Sequence, residues 1–504
     1  MASAKTKIDS AFQPRFVAPR IPVGNQSPYA VATDATPVPA LSLLADVGLA
    51  EWPDLPSNDR HYDLQTGLPN YNSFCKSLSV LLHEWPAGRE VALMWIDLFD
   101  LRKQFFLGGA ATSEALLVRV ADILRATVDD TALLGRFSGR CFVVALPAAR
   151  ADRRDRRKVQ QIVHAIRSTL LQQAEIEPQI AAGVAYYPSD TRSIDDLVRF
   201  AGLAANRAGY LRSASAISFR TSMNNLVMRN YHLEVEMRKG LENNQFSTAY
   251  QVKVDLQDGR LLGAEALIRW NHPEWGPVTP AEFIPVAERS ALIHRIFDLT
   301  LRTALRDAKR WRQAGLPDPV FAVNVSAANL RRSDFVPSLR RTLRELDADS
   351  SQLELEVTES VLIDDEELFA MRVRQLKEIG IRIAIDDFGT RYTGFNLLKR
   401  VPLDGMKIDK CFLCDIHRSR EARVVYQTIV AMAHHLRMRT VAEGIENQAE
   451  LDVLREIGCE AGQGYLFQRP MEESQFARFL QQWPQQMPAF GFAAPLACSV
   501  MSLT

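Results

Sequence analysis

Eight short strand-like runs, TAYQVKV, EALIRW, FAVNVS, LELEVTE, RIAIDDF, GMKID, RTVAEGI and GQGYLF, recur between residues 246 and 470 with helical stretches between them. This alternation predicts a (β/α)8 TIM-like barrel. In such a barrel the strand C-termini converge on one face, so side chains remote in sequence meet in one mouth. Polar residues fall where that mouth would need them. Gln251 lies in the first run, Glu265 and Arg269 in the second, Asn324 in the third, and Glu356 and Glu359 in the fourth. Asp386 and Asp387 belong to the fifth, Lys407 and Asp409 to the sixth, Glu443 and Glu446 to the seventh, and Gln463 to the eighth.

A cluster of Glu, Asp and Asn oxygens without His or Cys suits hard cations such as Mg2+ or Mn2+. Without cations, so many carboxylates would repel one another. Two divalent ions at such a mouth can generate a hydroxide and clamp a phosphodiester for in-line attack. Lys407 and Arg269 would offer fixed positive charge to a phosphate oxygen or the attacking water. A mouth lined by structural ion pairs is the competing reading.

At 504 residues the chain is long enough for two or three domains. Residues 1–58 are rich in Pro, Ala and Ser and read as a flexible arm with one short helix near Leu41–Leu49. Residues 59–220 alternate helical and strand patterns. VALMWIDL (91–98), CFVVALP (141–147) and AAGVAYYP (181–188) are strand candidates, and 113–128 and 194–212 have helical spacing, so this is an α+β domain. A connecting helix within 221–245 carries Leu233, Met237 and Leu241 on one face. The barrel occupies 246–484, and residues 485–504 read as a poorly ordered tail.

Sixty basic residues balance sixty acidic ones, which removes the electrostatic case for nucleic acid as a main partner. No run approaches the ~20 apolar residues of a membrane span. Lys5, Lys7 and Arg15 precede no apolar signal-peptide core, so a cytoplasmic protein without membrane insertion is expected. Cys411 and Cys414 form a C-x-x-C pair with no further ligands nearby and read as two chance cysteines after a strand. His434 and His435 read as surface or packing residues.

The segment EALIRWNHPEWGPVTPAEFIPVAERSALI (265–293) resembles the signature of the EAL-domain cyclic di-GMP phosphodiesterases. NVSA (324–327), ELEVTES (354–360), DDFGT (386–390), KIDK (407–410), VAEGIE (441–446) and GQGYLFQRP (462–470) continue the likeness in the family's order. The resemblance implies hydrolysis of cyclic di-GMP to pGpG with two Mg2+ or Mn2+ ions. It implies Glu265, Asn324, Glu356 and Asp386 as ligands of a first metal, and Asp386 with Asp387 as holders of the second. Lys407 would sit beside the nucleophilic water. Glu443 matches a residue that serves either as general base or as a second-metal ligand. Arg269 and Gln463 would contact the dinucleotide, and Gln251 either touches substrate or makes a strand-end hydrogen bond. Glu359 and Glu446 would steady the loop after the fifth strand. In that loop Arg391 stands where the family has a glycine. Such barrels are often homodimers.

Residues 59–220 resemble the GGDEF diguanylate cyclase domain. DLQTGLPNYNSF (63–74) matches its opening motif, and WIDLFDL (95–101) its metal-bearing strand, with Asp97 as the aspartate. The name-giving turn, however, reads Ser138, Gly139, Arg140, Cys141, Phe142. Arg-Cys replaces the Asp-Glu pair that would hold metal, which should abolish metal binding. Phe105 and Glu114 stand where guanine-reading Asn and Asp are expected, and Asp129–Ala132 replaces the R-x-x-D inhibitory site. The expected whole is a phosphodiesterase with an inactive cyclase domain kept for regulation, dimerisation or a protein partner. The alternative is a cyclic di-GMP receptor that relays the signal to a protein partner without turnover, and a protein-binding scaffold is a third reading.

Overall fold

The computed structural model describes residues 61–83, 85, 89–98, 101–137, 139–148, 153–173, 180–211, 216–316, 319–359, 366–389 and 395–492. The expected arm over 1–58 with its short helix, Ser138 and Arg391 lie outside the described residues, as does the side chain of Phe105. The chain divides into two compact units between Asn224 and Asn225.

The first unit is built on a five-stranded sheet of β1 (Glu90–Leu98), β2 (Leu133–Arg136), β3 (Cys141–Ala148), β4 (Ile180–Tyr187) and β5 (Ile217–Ser218), in the order β2-β3-β1-β4-β5. β1 runs antiparallel to both β3 and β4 and is buried over nearly its whole length. Its continuous apolar run VALMWI follows from being covered on both faces. Helices Tyr71–His83, Leu101–Thr127, Arg153–Gln173 and Ile194–Tyr210 complete the mixed α/β unit.

In the second unit seven of the predicted runs supply strands, whereas of GQGYLF only Gly462 is in a strand and the rest turns away from the sheet. The barrel strands are β6 (Phe246–Asp255), β7 (Leu261–His272), β9 (Val320–Val325), β10 (Leu353–Thr358), β11 (Arg382–Phe388), β12 (Gly405–Ile408), β13 (Arg439–Ala442) and β14 (Ala461–Gly462). Neighbours pair in that order, and β14 pairs back onto β6, closing the barrel. Two short strands, β8 (Gly276–Val278) and β15 (Met471–Glu472), extend it from β7 and β6.

One strand departs from the uniform alternation. β6 is antiparallel to both β7 and β14, whereas the pairs from β7 through β14 are parallel. Only residues 256–260 separate β6 from β7. A parallel crossover needs a dozen residues or more, so a tight turn is the sole option there. Gly259 takes φ +75° in that turn, a conformation L side chains rarely adopt. Because β6 runs the other way, its later residues lie deeper in the barrel.

Strand residues alternate between two environments, as a closed sheet requires. Tyr250, Val252, Val254, Ala264, Ala266, Phe321, Val323, Leu353, Leu355, Ile383, Ile385, Met406 and Ile408 are buried in one apolar cluster with Phe297, Leu301, Ala304 and Leu305 of helix Leu292–Gln313. The intervening positions therefore face the lumen. They include Gln251, Lys253, Glu265, Asn324, Glu354, Glu356, Asp386 and Lys407.

Helix Thr221–Glu242 joins the units. Leu233 and Met237 are buried in a cluster with Phe246, Trp270 and Phe283, so the second half of the connector is part of the barrel's packing. The tail also departs from expectation. Helix Glu473–Gln486 and a 3-10 turn Met487–Phe490 continue the fold. Met487 and Phe492 are buried. The Arg455 guanidinium lies 4.3 Å from the Phe492 ring centroid, and Trp483 Nε1 donates to Gly259 O at 2.8 Å. Aromatic area that covers the β6–β7 turn outweighs the cost of ordering these residues. Phe492→Ala is expected to destabilise the chain by roughly 3–5 kcal/mol. Chemical denaturation would read it, and an unchanged midpoint would show that this aromatic is not part of the core.

Candidate active site

The lumen-facing positions bring together most of the polar residues singled out from the sequence. Lys407, fully buried on β12, places Nζ 3.2 Å from Glu265 Oε2, 3.0 Å from Glu356 Oε2, 2.9 Å from Asp386 Oδ1 and 2.7 Å from Glu443 Oε1. Asn324 Nδ2 donates to Glu265 Oε1 at 2.7 Å, and in register Asn324 lies directly beside Glu356. Gln463 Nε2 donates to Glu265 Oε2 and to Glu443 Oε1, each at 3.0 Å. Gln251 sits opposite Glu265 on β6, half-buried. Arg269 is also half-buried, with Nη1 donating to Ile268 O.

Asp386 and Asp387 would point to opposite faces of a regular strand. Here the β11–β12 register shifts between Ile385 and Phe388, and Asp387 takes φ 53°. This irregularity turns both carboxylates the same way, a use of bulges common beside active sites. Ligand oxygens of Asp386, Asp387 and Glu443 lie within 4.8 Å of one another. Just beyond, Gly389 N–H donates to Glu359 Oε2 at 3.0 Å, with Glu359 buried. Glu359 therefore holds the loop after β11 by a direct bond. Glu446 is placed differently. It is exposed, and its backbone N–H donates to Glu450. That contact ties its own loop to helix Gln448–Ile457 rather than to the loop after β11. Asp409 caps the turn after β12 by accepting from Cys411 N at 2.9 Å.

Electrostatics explain the spread in carboxyl behaviour. Burial and the charge of Glu265 push the Glu356 carboxyl up to about 8. Burial outweighs the pull of Lys407 and raises Glu443 to about 7. Burial and the neighbouring Asp386 also raise Asp387. Lys407 is held well above its usual value because the surrounding carboxylates outweigh its desolvation. The lumen thus carries more negative charge than its cations neutralise.

Two lumen residues escaped the sequence reading. Lys253 on β6 is buried, with Nζ 2.8 Å from Glu354 Oε1 and 2.5 Å from Glu356 Oε1. Their signal was the period-two spacing of charge in YQVKVD and LELEV.

These residues fit divalent cations. Six carboxylates (Glu265, Glu354, Glu356, Asp386, Asp387, Glu443) and two ammonium groups leave a formal excess of four negative charges. The guanidinium groups of Arg269 at the rim and of Arg382 beside Glu354 lower that excess without removing it. Among the described residues the buried Asp386 Oδ1 makes no hydrogen bond beyond its ion pair, and the buried Gln463 Oε1 has no donor. Oxygen ligands in this number suit Mg2+ or Mn2+.

The family described as "EAL domain" matches residues 234–470, and the one described as "Diguanylate cyclase, GGDEF domain" matches residues 60–211. A curated cyclic di-GMP phosphodiesterase of Pseudomonas aeruginosa is 32% identical over 423 residues, covering 83% of this chain and 71% of that protein. The chain belongs to the GGDEF–EAL family. Two further relatives from the same bacterium are also 32% identical. The cyclic di-GMP phosphodiesterase NbdA aligns over 83% of this chain and 54% of its own length. The bifunctional diguanylate cyclase/cyclic di-GMP phosphodiesterase MucR aligns over 77% of this chain and 56% of its own. The chain spans about half the length of several curated relatives it matches.

In the GGDEF unit of this GGDEF–EAL protein the turn at Gly139–Arg140 packs against β1. Asp97 and Cys141 are register partners on β1 and β3. Arg140 Nε lies 2.6 Å from Asp97 Oδ1, with Asp97 buried. Burial raises the Asp97 carboxyl, and the Arg140 guanidinium opposes that rise. Cys141 and Phe142 are buried, and Gly139 takes φ 52° in the turn. Arg136 Nη2 donates to Gly139 O while Nη1 pairs with Asp63 at 2.7 Å, tying the turn to the opening motif. Glu114 is exposed and accepts from Gln65. Residues 129–132 form a turn, Ala132 N–H donating to Asp129 O, with Asp129 paired to Lys158. No helix among the described residues is long and apolar enough to cross a membrane.

Arg140→Ala would strand a buried carboxylate. The expected cost is about 2 kcal/mol at neutral pH, below that of a fully buried pair because the Arg140 side chain is 29% exposed. Without the guanidinium the Asp97 carboxyl rises further above its unfolded value, so the loss should shrink as pH falls and that carboxyl takes a proton. Urea melts across pH would measure this, and a loss independent of pH would point to packing rather than charge.

Proposed function

We propose that the EAL barrel hydrolyses one phosphodiester of cyclic di-GMP, giving linear pGpG, with two Mg2+ or Mn2+ ions. The observation that carries this reading is the gathering of Glu265, Asn324, Glu356, Asp386, Lys407, Glu443 and Gln463 around one lumen end with excess negative charge. Glu265, Asn324, Glu356 and Asp386 would hold one cation, and Asp386 with Asp387 the other. Bound divalent ions supply an acidified water and a clamp for phosphate oxygens. Lys407 would offer its fixed positive charge to the attacking water and to the charge that develops on the phosphate. Water oxygen adds to phosphorus, the bond to the ribose 3′ oxygen breaks, and the leaving oxygen takes a proton. Glu443 serves as base or as a second-metal ligand. Arg269 and Gln463 orient the dinucleotide, Gln251 lies beside them, and Glu359 steadies the loop after β11.

The GGDEF unit is read as catalytically silent. Asp97 already has a cationic partner in Arg140, so a metal triphosphate gains no free carboxylate there. Its role is then regulatory, through dimerisation or a protein partner.

Purified protein incubated with cyclic di-GMP and Mn2+ should release pGpG, followed by chromatography, and should form no cyclic di-GMP from GTP. Glu265→Ala and Glu443→Gln should each lower turnover by at least about 100-fold. Near-normal rates in both would sink the assigned roles. Binding of cyclic di-GMP without turnover would make the protein a receptor.

A further inference from the structure

Below the mouth, the lumen of this barrel is polar where TIM barrels usually pack branched apolar side chains. The lumen-facing positions Gly263, Ala322, Ala384 and Gly405 are each small. In register, Gly263 pairs with Lys253, Ala322 with both Glu265 and Glu354, and Ala384 with both Glu356 and Gly405. Lys253 enters this lumen from β6, which runs antiparallel to both its barrel neighbours.

Its ammonium is buried and makes two ion pairs. Glu354 on β10 takes it at 2.8 Å, and Glu356, two residues further along the same strand, takes it at 2.5 Å through Oε1. The other oxygen of Glu356, Oε2, faces Lys407 and the cluster, 3.0 Å from Nζ. Glu356 is thus held by both its oxygens, one from below and one from the mouth. Burial opposes the charge on Lys253, but Glu354 and Glu356 outweigh it, so the side chain stays cationic.

We propose that Lys253 is a positioning residue for the phosphodiester reaction, anchoring Glu356 from beneath through Oε1 so that Oε2 is presented to the cation at the mouth. Glu354 in turn fixes Lys253. The proposal rests on the phosphodiesterase reading and extends it to a residue that touches neither substrate nor reacting atoms. Partners that orient a metal ligand without touching the metal commonly contribute 10- to 100-fold in affinity or activity.

Lys253→Met keeps the length of the side chain and removes the charge. In the full-length protein, titration calorimetry with Mn2+ alone should show an affinity about 10-fold weaker than wild type. The sign is decisive. Were Lys253 only a counter-charge, its removal would leave a more negative site and Mn2+ would bind tighter. Were it only a packing element, stability would drop and affinity would not change. Either result overturns the proposal. Lys253→Met should also lower kcat for cyclic di-GMP while leaving KM nearly unchanged, since Arg269 and Gln463 are untouched. A second measurement, without metal, keeps the two ideas apart. The urea midpoints of Lys253→Met, Glu356→Gln and the double variant should be non-additive. Additive shifts would remove the contact and the proposal with it. Should wild type bind no Mn2+ while the shifts stay non-additive, the metal-dependent reading fails and the anchoring contact stands.

Discussion

Lys407 puts a full positive charge in the interior of the barrel, and four carboxylates from three other strands and the loop after β13 close on it. Each of those carboxylates would be costly to bury alone, because an unpaired charge loses its hydration with nothing in return. One ammonium cannot neutralise them all. The result is an interior held together by charge and still short of cations, which is why Glu356 and Glu443 sit far above the ordinary carboxylate range. Binding of hard cations and stability of the strand ends are therefore two aspects of one electrostatic arrangement.

That arrangement depends on backbone geometry more than on any single side chain. Strict alternation sends one set of residues to the apolar layer under the helices and the other to the lumen. Alternation alone would separate Asp386 from Asp387. The left-handed Asp387 and the shifted register beside it bring them to one side. Asp tolerates this conformation better than most residues, since its short polar side chain can bond locally. The loop beyond is fixed by Glu359 through the Gly389 N–H, and the Phe412 ring lies so close under Gly389 that a Cβ there would meet it at 2.4 Å. The carboxylates proposed to hold metal are thus placed by a bulge, a glycine and a buried glutamate.

Much of this was legible in the primary structure, and the misses have physical causes. Eight apolar runs ending in polar residues identify a barrel and its mouth because burial and catalysis impose different residue types on the same strand. The reversal of β6 was also written there, in a linker too short for a crossover, but it hides when every run is read alike. Lys253 escaped because a lone lysine in a strand ordinarily faces water, although it stands two residues from Gln251 and so on the same side of β6. Asp387 could be named but not oriented, since a bulge leaves no residue signature that an adjacent pair of aspartates would not also give. The tail failed for another reason. Its composition is that of a loose segment, yet Phe492 and Met487 find apolar surface that exists only once the β6–β7 turn has formed.

The two units meet the same problem, a buried carboxylate on a strand, and answer it oppositely. In the GGDEF unit the buried Asp97 is paired with Arg140 of its own chain at 2.6 Å. In the barrel two lysines face six carboxylates. A cation competing for Asp97 would have to displace a tethered guanidinium, whose effective concentration exceeds that of any free ion. In the barrel four carboxylates share the one ammonium of Lys407, so the charge there is not matched one to one. Charge balance, read separately in each unit, thus separates an aspartate matched by a guanidinium of its own chain from a cluster with more carboxylates than cations.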